Sequence, residues 1–270
     1  MRELRVLLYE TPHDPYMNLA FEEAFTRVRA ADLTCDTLRI WRNDRAVVIG
    51  YFQEAGAEVK LAEAEKLGIR VVRRFTGGGA VYHDLGNINF ALAIKAEGVK
   101  DPISYLYSYL IGGALRALKL LGASPRLENV NDIVVNQRKV SGVAASTRWG
   151  VYFLHGCILV NADLTALAKV LRVPKEKLRD KGVSEVKYRV ANLSEVLGRE
   201  LSYRELVKAL VKGYEEHLKA ESYVDLPSKE EVRVAQLLYE YKYSRNEWNL
   251  YRAPHSAFKN LEEKLKEILA

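Results

Sequence analysis

Strand-like segments in this chain follow one another too closely for parallel crossovers, and that spacing constrains the fold more than any other feature. "TLRIWR" (37–42) and "AVVIGYF" (46–52) read as a strand pair separated only by the turn formers Asn43 and Asp44. "IRVVRRF" (69–75), "AVYHD" (80–84) and "INFALAI" (88–94) come next, and "NDIVVN" (131–136), "RKVSGVAAST" (138–147) and "VYFLHGCILV" (151–160) form a second group. A parallel connection takes a dozen or more residues, so most of these neighbours must run antiparallel. A first strand, "LRVLLYE" (4–10), precedes an amphipathic helix over 14–30 with Met17, Ala20, Phe21 and Ala24 on one face. A charged helix over 58–68 ends at Gly68 as its C-cap, and a long core helix runs from Ile103 to Leu121, closed by Gly122. Further helices are expected over 164–173, 202–218, 229–243 and 260–269. The fold class is therefore α+β, a mainly antiparallel or mixed sheet flanked by helices.

The chain has 270 residues, enough for one large domain with a substantial core. Its longest apolar runs, such as "AVVIG" and "CILV", are far too short to span a bilayer, so no membrane association is expected. The opening "MRELRVLLYE" carries four charges and reads as a strand rather than a signal peptide. Cys35 and Cys157 are too few for a disulfide framework or a structural zinc site, and they suit a reducing, cytoplasmic compartment. The net charge is +6, and residues 201–270 carry 12 basic and 12 acidic side chains, so the excess lies in the first 200 residues. It is too mild and too dispersed to imply nucleic acid, and suits an anionic small molecule or an acidic protein partner.

Three polar islands interrupt the strands. In "VVRRFTGGGAVYHDLGNINF" (71–90), consecutive glycines permit either a tight turn or a cradle whose backbone N–H groups approach an anion. Arg73 and Arg74 precede them. Adjacent strand residues point to opposite faces, so only one faces the glycine site and the other is expected to meet solvent or an acidic partner. Spaced P-loop and dinucleotide fingerprints are missing. His83 and Asp84 cannot both face one ion, and Asp84 with Asn87 reads as a turn former, leaving His83 as a wall residue. In "NDIVVNQRKVSGVAAS" (131–146), Lys139 precedes the small residues Ser141, Gly142, Ala144, Ala145 and Ser146, which let a ligand come close to the backbone. In "LHGCILVNADL" (154–164), His155 and Cys157 share a strand face, and packing is the preferred reading over a covalent dyad.

"RRFTGGGAVYHDLGNINF", "NDIVVNQRKVSGVAAS", "HGCILVNADL" and "KGVSEVKYRVANLSEVL" occur in the order of the corresponding blocks of the lipoate-protein ligase A family, which the chain resembles over about residues 5 to 200. "DPYMNLAFEEAF", "WRNDRAVVIGYFQ" and, more loosely, "YKYSRNEWN" fit it too. The resemblance implies the catalytic domain shared by biotin and lipoate protein ligases. It also implies activation of lipoate with ATP and Mg2+ to lipoyl-AMP, and transfer of the lipoyl group to a lysine of a lipoyl domain. Acceptors would be 2-oxoacid dehydrogenase complexes or the glycine cleavage H protein. Carried over by position, Arg74 contacts the nucleotide, Gly79, Ala80, Val81 and Tyr82 line the adenylate, and Lys139 sits between phosphate and lipoyl carboxylate. Gly77, Gly78, Arg73, His83, Asp132 and His155 are further site residues, and no protein-ligated structural metal is expected. Part of "VVIGYF" would line a narrow apolar slot for the dithiolane. Family members often have two adjacent histidines where this chain has Leu154 and His155, and a Thr-like residue at Cys157.

Single-chain ligases of this family continue into an accessory domain of roughly a further hundred residues. Here residues 1–250 are expected to form the catalytic domain and 251–270 a helical tail, with no accessory domain. Adenylation is then expected to need a separate accessory subunit, or to have dispensed with one. The main rival is an ATP-independent octanoyl or lipoyl transferase using a cysteine thioester. Relatives of that type carry their cysteine in the loop corresponding to "SPRLENVN", which has none. A non-enzymatic binder of nucleotide or nucleic acid is the third reading.

Overall fold

The computed structural model describes residues 2–172 and 190–270. Part of "KGVSEVKYRVANLSEVL" therefore lies outside the described residues. The strands are β1 (Arg2–Leu7), β2 (Thr37–Trp41), β3 (Ala46–Ile49), β4 (Arg70–Arg73), β5 (Val81–His83), β6 (Asn87–Ile94), β7 (Arg126–Glu128), β8 (Asp132–Val135), β9 (Arg138–Ser146), β10 (Tyr152–Leu159) and β11 (Ala220–Asp225). The helices used below are α1 (Pro15–Ala30), α2 (Gly112–Leu120), α3 (Leu164–Val170), α4 (Tyr203–Leu218), α5 (Lys229–Leu238) and α6 (Lys259–Leu269). Eight strands form one sheet in the order β11-β1-β2-β6-β10-β9-β8-β7, and β4-β3-β5 form a second. In the large sheet β1 pairs parallel with both β11 and β2, and the remaining pairs are antiparallel. The mixed, mainly antiparallel sheet expected from the sequence is present.

Strand β6 explains the layering. All eight residues of "NINFALAI" are buried, with Ile88, Phe90, Leu92 and Ile94 facing one core and Asn89, Ala91 and Ala93 the other side. The first core is roofed by α2 and α4, the second by α1, α5 and α6. The small sheet packs with α3 around Val47, Ile49, Tyr82 and Leu167. On the second side Ala91 and Ala93 pack into the core, and Asn89 borders a cleft.

Several expectations change. The segments 37–42 and 46–52 are not paired, because β2 belongs to the large sheet and β3 to the small one. Asn43 is fully buried and bonded to Asn18 and His83, so the link crosses between sheets instead of turning a hairpin. The helix expected over 103–121 contains a π-helical stretch, Tyr105–Leu110, before α2. Strands β7 and β11 were not foreseen. The helix expected over 260–269 is present as α6, which places Leu261 and Leu265 in the second core. Among the described residues no helix is long and apolar enough to cross a membrane.

A buried ionic cluster joins α1 to the C-terminal third. Glu23 is fully buried and accepts from Lys242 Nζ at 2.6 Å and Tyr243 Oη at 2.7 Å, and pairs with Arg27 at 2.8 Å. Arg27 also pairs with Glu262 of α6 at 2.7 Å. Burial alone would push the Glu23 carboxyl up, but Lys242 and Arg27 hold it down at about 2. Glu23→Ala is expected to destabilise the protein by about 3 kcal/mol, because it strands buried cations. Since the folded pKa lies below the unfolded one, the carboxylate's contribution is complete above the ordinary Glu range and is lost as pH falls toward about 2. Urea unfolding of both proteins across that window measures it: the difference between them should shrink with acid.

Candidate active site

The cleft lies between the two sheets. Strand register puts Trp41, Asn89, Cys157, Gly142 and Asp132 in one row across β2, β6, β10, β9 and β8. The small sheet contributes Val48, Val81 and His83, and α1 contributes Leu19 and Glu22. Arg74, Gly79, Ala80, Asn131, Lys139, Ala144 and His155 complete the wall. The enclosed and mouth space together come to about 580 Å³. The sequence expects glycine and alanine to admit a ligand near the backbone of β9, and Gly142 and Ala144 do line the cleft.

The glycine turn is fastened from inside by Arg74. This side chain is buried, donating from Nε to Thr76 Oγ1 at 3.0 Å and from Nη2 to the carbonyls of Gly77 and Gly79 at 2.6 and 2.8 Å. Nη1 donates to the carbonyl of Val48 at 3.1 Å. Burial pulls its pKa down to about 10, against the opposing pull of Glu22, so it stays cationic at neutral pH. Gly78 has φ +90°, a left-handed backbone that suits glycine, and its carbonyl lies 2.1 Å from where a Cβ on Gly50 would sit. The turn thus needs glycine at two places that are distant in sequence.

Arg73 behaves differently from expectation. It is fully buried, donating from Nε to the carbonyl of Trp248 at 2.8 Å, from Nη1 to those of Gly50, Tyr51 and Gln53, and from Nη2 to that of Asn249. The two arginines do point to opposite faces, but the face given to Arg73 is covered by residues 50–53 and 248–249 rather than by solvent or an acidic partner.

Lys139 extends over Gly142 and pairs with Asp132 at 2.5 Å, with a quarter of its side chain exposed. A cation that is partly open and held by a single carboxylate can turn to an incoming anion. Deeper in the wall, His155 bridges Glu22 Oε2, 2.9 Å from Nδ1, and Thr76 Oγ1, 2.8 Å from Nε2. Trp41 Nε1 donates to the other oxygen of Glu22 at 3.2 Å. The chain from Trp41 through Glu22, His155 and Thr76 reaches Arg74, so it ties the cleft floor to the glycine turn.

Of the residues singled out from the sequence, Arg74, Gly79, Ala80, Val81, His83, Lys139 and His155 line the cleft. Gly77 and Gly78 shape the turn behind it, Asp132 meets it through Lys139, and Tyr82 points into the core of the small sheet. Glu22, Trp41 and Asn89 were not foreseen. Glu22 and Glu23 look like the solvated face of α1, but that helix is covered nearly all round. Among the described residues no group of three or more His, Cys, Asp or Glu side chains could hold a metal ion.

The lipoyl protein ligase A/B catalytic domain model matches residues 14–215. Lipoate-protein ligase A subunit 1 of Thermoplasma acidophilum is 37% identical over 259 residues, covering 92% of this chain and 97% of its own. The chain is also similar to a solved bipartite lipoate protein ligase from that organism, studied with its E2 lipoyl domain. The TM-score is 0.84 at 36% identity, covering 94% of this chain and 98% of that one. A lipoate-protein ligase A structure bound with ATP gives 0.82 at 35% identity, covering 93% and 99%.

Cys157 is buried in the cleft wall, where Asn87 Nδ2 donates to its sulfur at 3.0 Å. Burial pushes the thiol up to about 12, so little thiolate forms at neutral pH. The native protein at pH 8 is expected to take up iodoacetamide on Cys35 but not on Cys157, with both labelled after denaturation. Mass spectrometry showing rapid native labelling of Cys157 would contradict this geometry.

Proposed function

This chain belongs to the lipoyl protein ligase A/B catalytic-domain family, and from that premise we propose that it joins lipoate to lipoyl domains through lipoyl-AMP. The observation that carries the reading is the meeting of Lys139 with the Arg74-held glycine turn in one cleft. Activation brings the lipoate carboxylate onto the α-phosphate of ATP, forming a C–O–P anhydride and releasing pyrophosphate. Two anions must approach, and the Lys139 ammonium, released from Asp132, offsets their repulsion as charge builds. N–H groups at Gly79, Ala80 and Val81 cradle the adenylate, with Arg74 holding that turn rather than reaching out of it. Tyr82, Gly77, Gly78, Arg73, His83, Asp132 and His155 act by shaping these walls.

In the second step the neutral ε-amine of an acceptor lysine attacks the acyl carbonyl, an amide forms, AMP departs with the bonding electrons, and the nitrogen's extra proton is lost to solvent. The anhydride is already activated, so placing the amine in line suffices and no enzyme thioester is formed. The high thiol pKa of Cys157 supports this over the thioester rival. Magnesium, brought in with ATP, would supply further charge neutralisation for the phosphates. The relative named as subunit 1 and the bipartite neighbour support a separate accessory subunit for adenylation. The partners are that subunit and a lipoyl domain, of 2-oxoacid dehydrogenase complexes or the H protein. In this reading residues 1–250 form the catalytic domain and 251–270 a helical tail, and the two free cysteines suit the cytoplasm.

One assay tests the reading: lipoate with MgATP, or preformed lipoyl-AMP, is incubated with an acceptor lipoyl domain, with and without the accessory subunit. Transfer from lipoyl-AMP by this chain alone is expected, with ATP-driven transfer only when the subunit is added. Lys139→Ala should lower adenylation roughly a hundredfold or more, and Cys157→Ser should leave transfer intact. Transfer that needs no ATP and dies with Cys157→Ser would instead establish the thioester route.

A further inference from the structure

The cleft holds polar atoms that the two chemical steps do not use. Both amide atoms of Asn89 and Nε2 of His83 are buried without a hydrogen-bond partner. Asn89 is 2% and His83 4% exposed, and both line the cleft. Leaving such groups unpaired is costly, so they point to something that fills the cleft.

The proton on His83 can be assigned from its neighbours. Asn18 Oδ1 accepts from Thr11 N and Arg39 Nη2, which fixes the orientation of that amide. Asn18 Nδ2 then donates to Asn43 Oδ1, so Asn43 Nδ2 is left to donate to His83 Nδ1. With Nδ1 accepting, Nε2 carries the hydrogen. Burial, with Arg74 and His155 nearby, holds the ring neutral. His83 therefore offers an unpaired donor, and Asn89 adds a second with an acceptor beside it.

Their place along the cleft fits one end of an acyl chain. Gly142, under the Lys139 ammonium, lies two strands from Asn89 in the same row, through Cys157. Two strand spacings are roughly 10 Å. Eight carbons joined by bonds of about 1.5 Å in a zigzag extend about 9 Å. A carboxylate at Lys139 thus puts the far end of an eight-carbon acid at Asn89, beside Trp41, whose ring meets His83 edge-on at 6.0 Å.

We propose that Asn89 and His83 are specificity-determining residues of the acyl slot, selecting a tail that ends in hydrogen-bond-accepting sulfur, as a dithiolane does, over a plain alkyl tail. This rests on the ligase reading above. Ring sulfurs accept weak hydrogen bonds from the two donors. An alkyl end leaves the donors unpaired, or must share the site with trapped water.

The test measures kcat/KM for lipoate and for octanoate in MgATP-dependent ligation with the accessory subunit present, alongside calorimetric Kd values for both acids. The wild type should favour lipoate, and Asn89→Leu should shift the ratio toward octanoate about tenfold, with octanoate gaining in absolute terms. Asn89→Val, a smaller change at the same position, guards against misfolding of the leucine variant. His83→Phe should move the ratio in the same direction. Product from both acids with a ratio unmoved by every folded variant would overturn the selection alone. Product from neither acid with the wild type would refute the ligase reading and the selection with it.

Discussion

The guanidinium groups of two consecutive arginines, buried without a carboxylate ion pair among the described residues and held by backbone carbonyls, underlie the rest of this structure. Arg74 gathers the carbonyls of Val48, Gly77 and Gly79, and Arg73 gathers those of Gly50, Tyr51, Gln53, Trp248 and Asn249. Burial draws both pKa values down to about 10, so both remain charged at neutral pH. Carbonyl dipoles satisfy the N–H groups but do not cancel the charge. The glycine turn is therefore both rigid and electropositive, which an anion-binding turn requires.

The same arrangement divides the labour within the cleft. Lys139 is partly open to solvent beside Asp132, whereas Arg74 is consumed by the turn it supports. One cation is open to the cleft and the other is built into its wall. The chain from Trp41 through Glu22, His155 and Thr76 runs beneath both, so the cleft floor and the glycine turn share one support.

The elements legible in the sequence were those with runs of apolar residues between turn signals. Strands β6, β8, β9 and β10 are of this kind, and the short connections from β8 to β9 and from β9 to β10 pointed to an antiparallel core. Strand β11 lies exposed at a sheet edge with polar residues at most positions, and nothing in "AESYVD" announces a partner 200 residues away. The turn formers at 43 and 44 suggested a hairpin, and only the buried bonds of Asn43 reveal a crossing. Lys139 and the glycine turn were readable because their composition is unusual for strands. Glu22 and Asn89 were not, since a glutamate on a helix and an asparagine on a strand announce a site only once the surrounding surfaces close over them.

Strand β1 pairs in parallel with β11, Arg5 is bonded to Glu231, and Glu23 waits for Lys242 and Glu23's neighbour Arg27 for Glu262. During synthesis these first elements emerge from the ribosome long before their partners. The antiparallel centre from β6 to β10 can assemble on the way, but in the N-terminal helix Glu23 has only Arg27 to balance it until Lys242 has been made. Closure of this domain is thus a late, long-range event, and a nascent chain stalled before residue 242 is a natural client for chaperones.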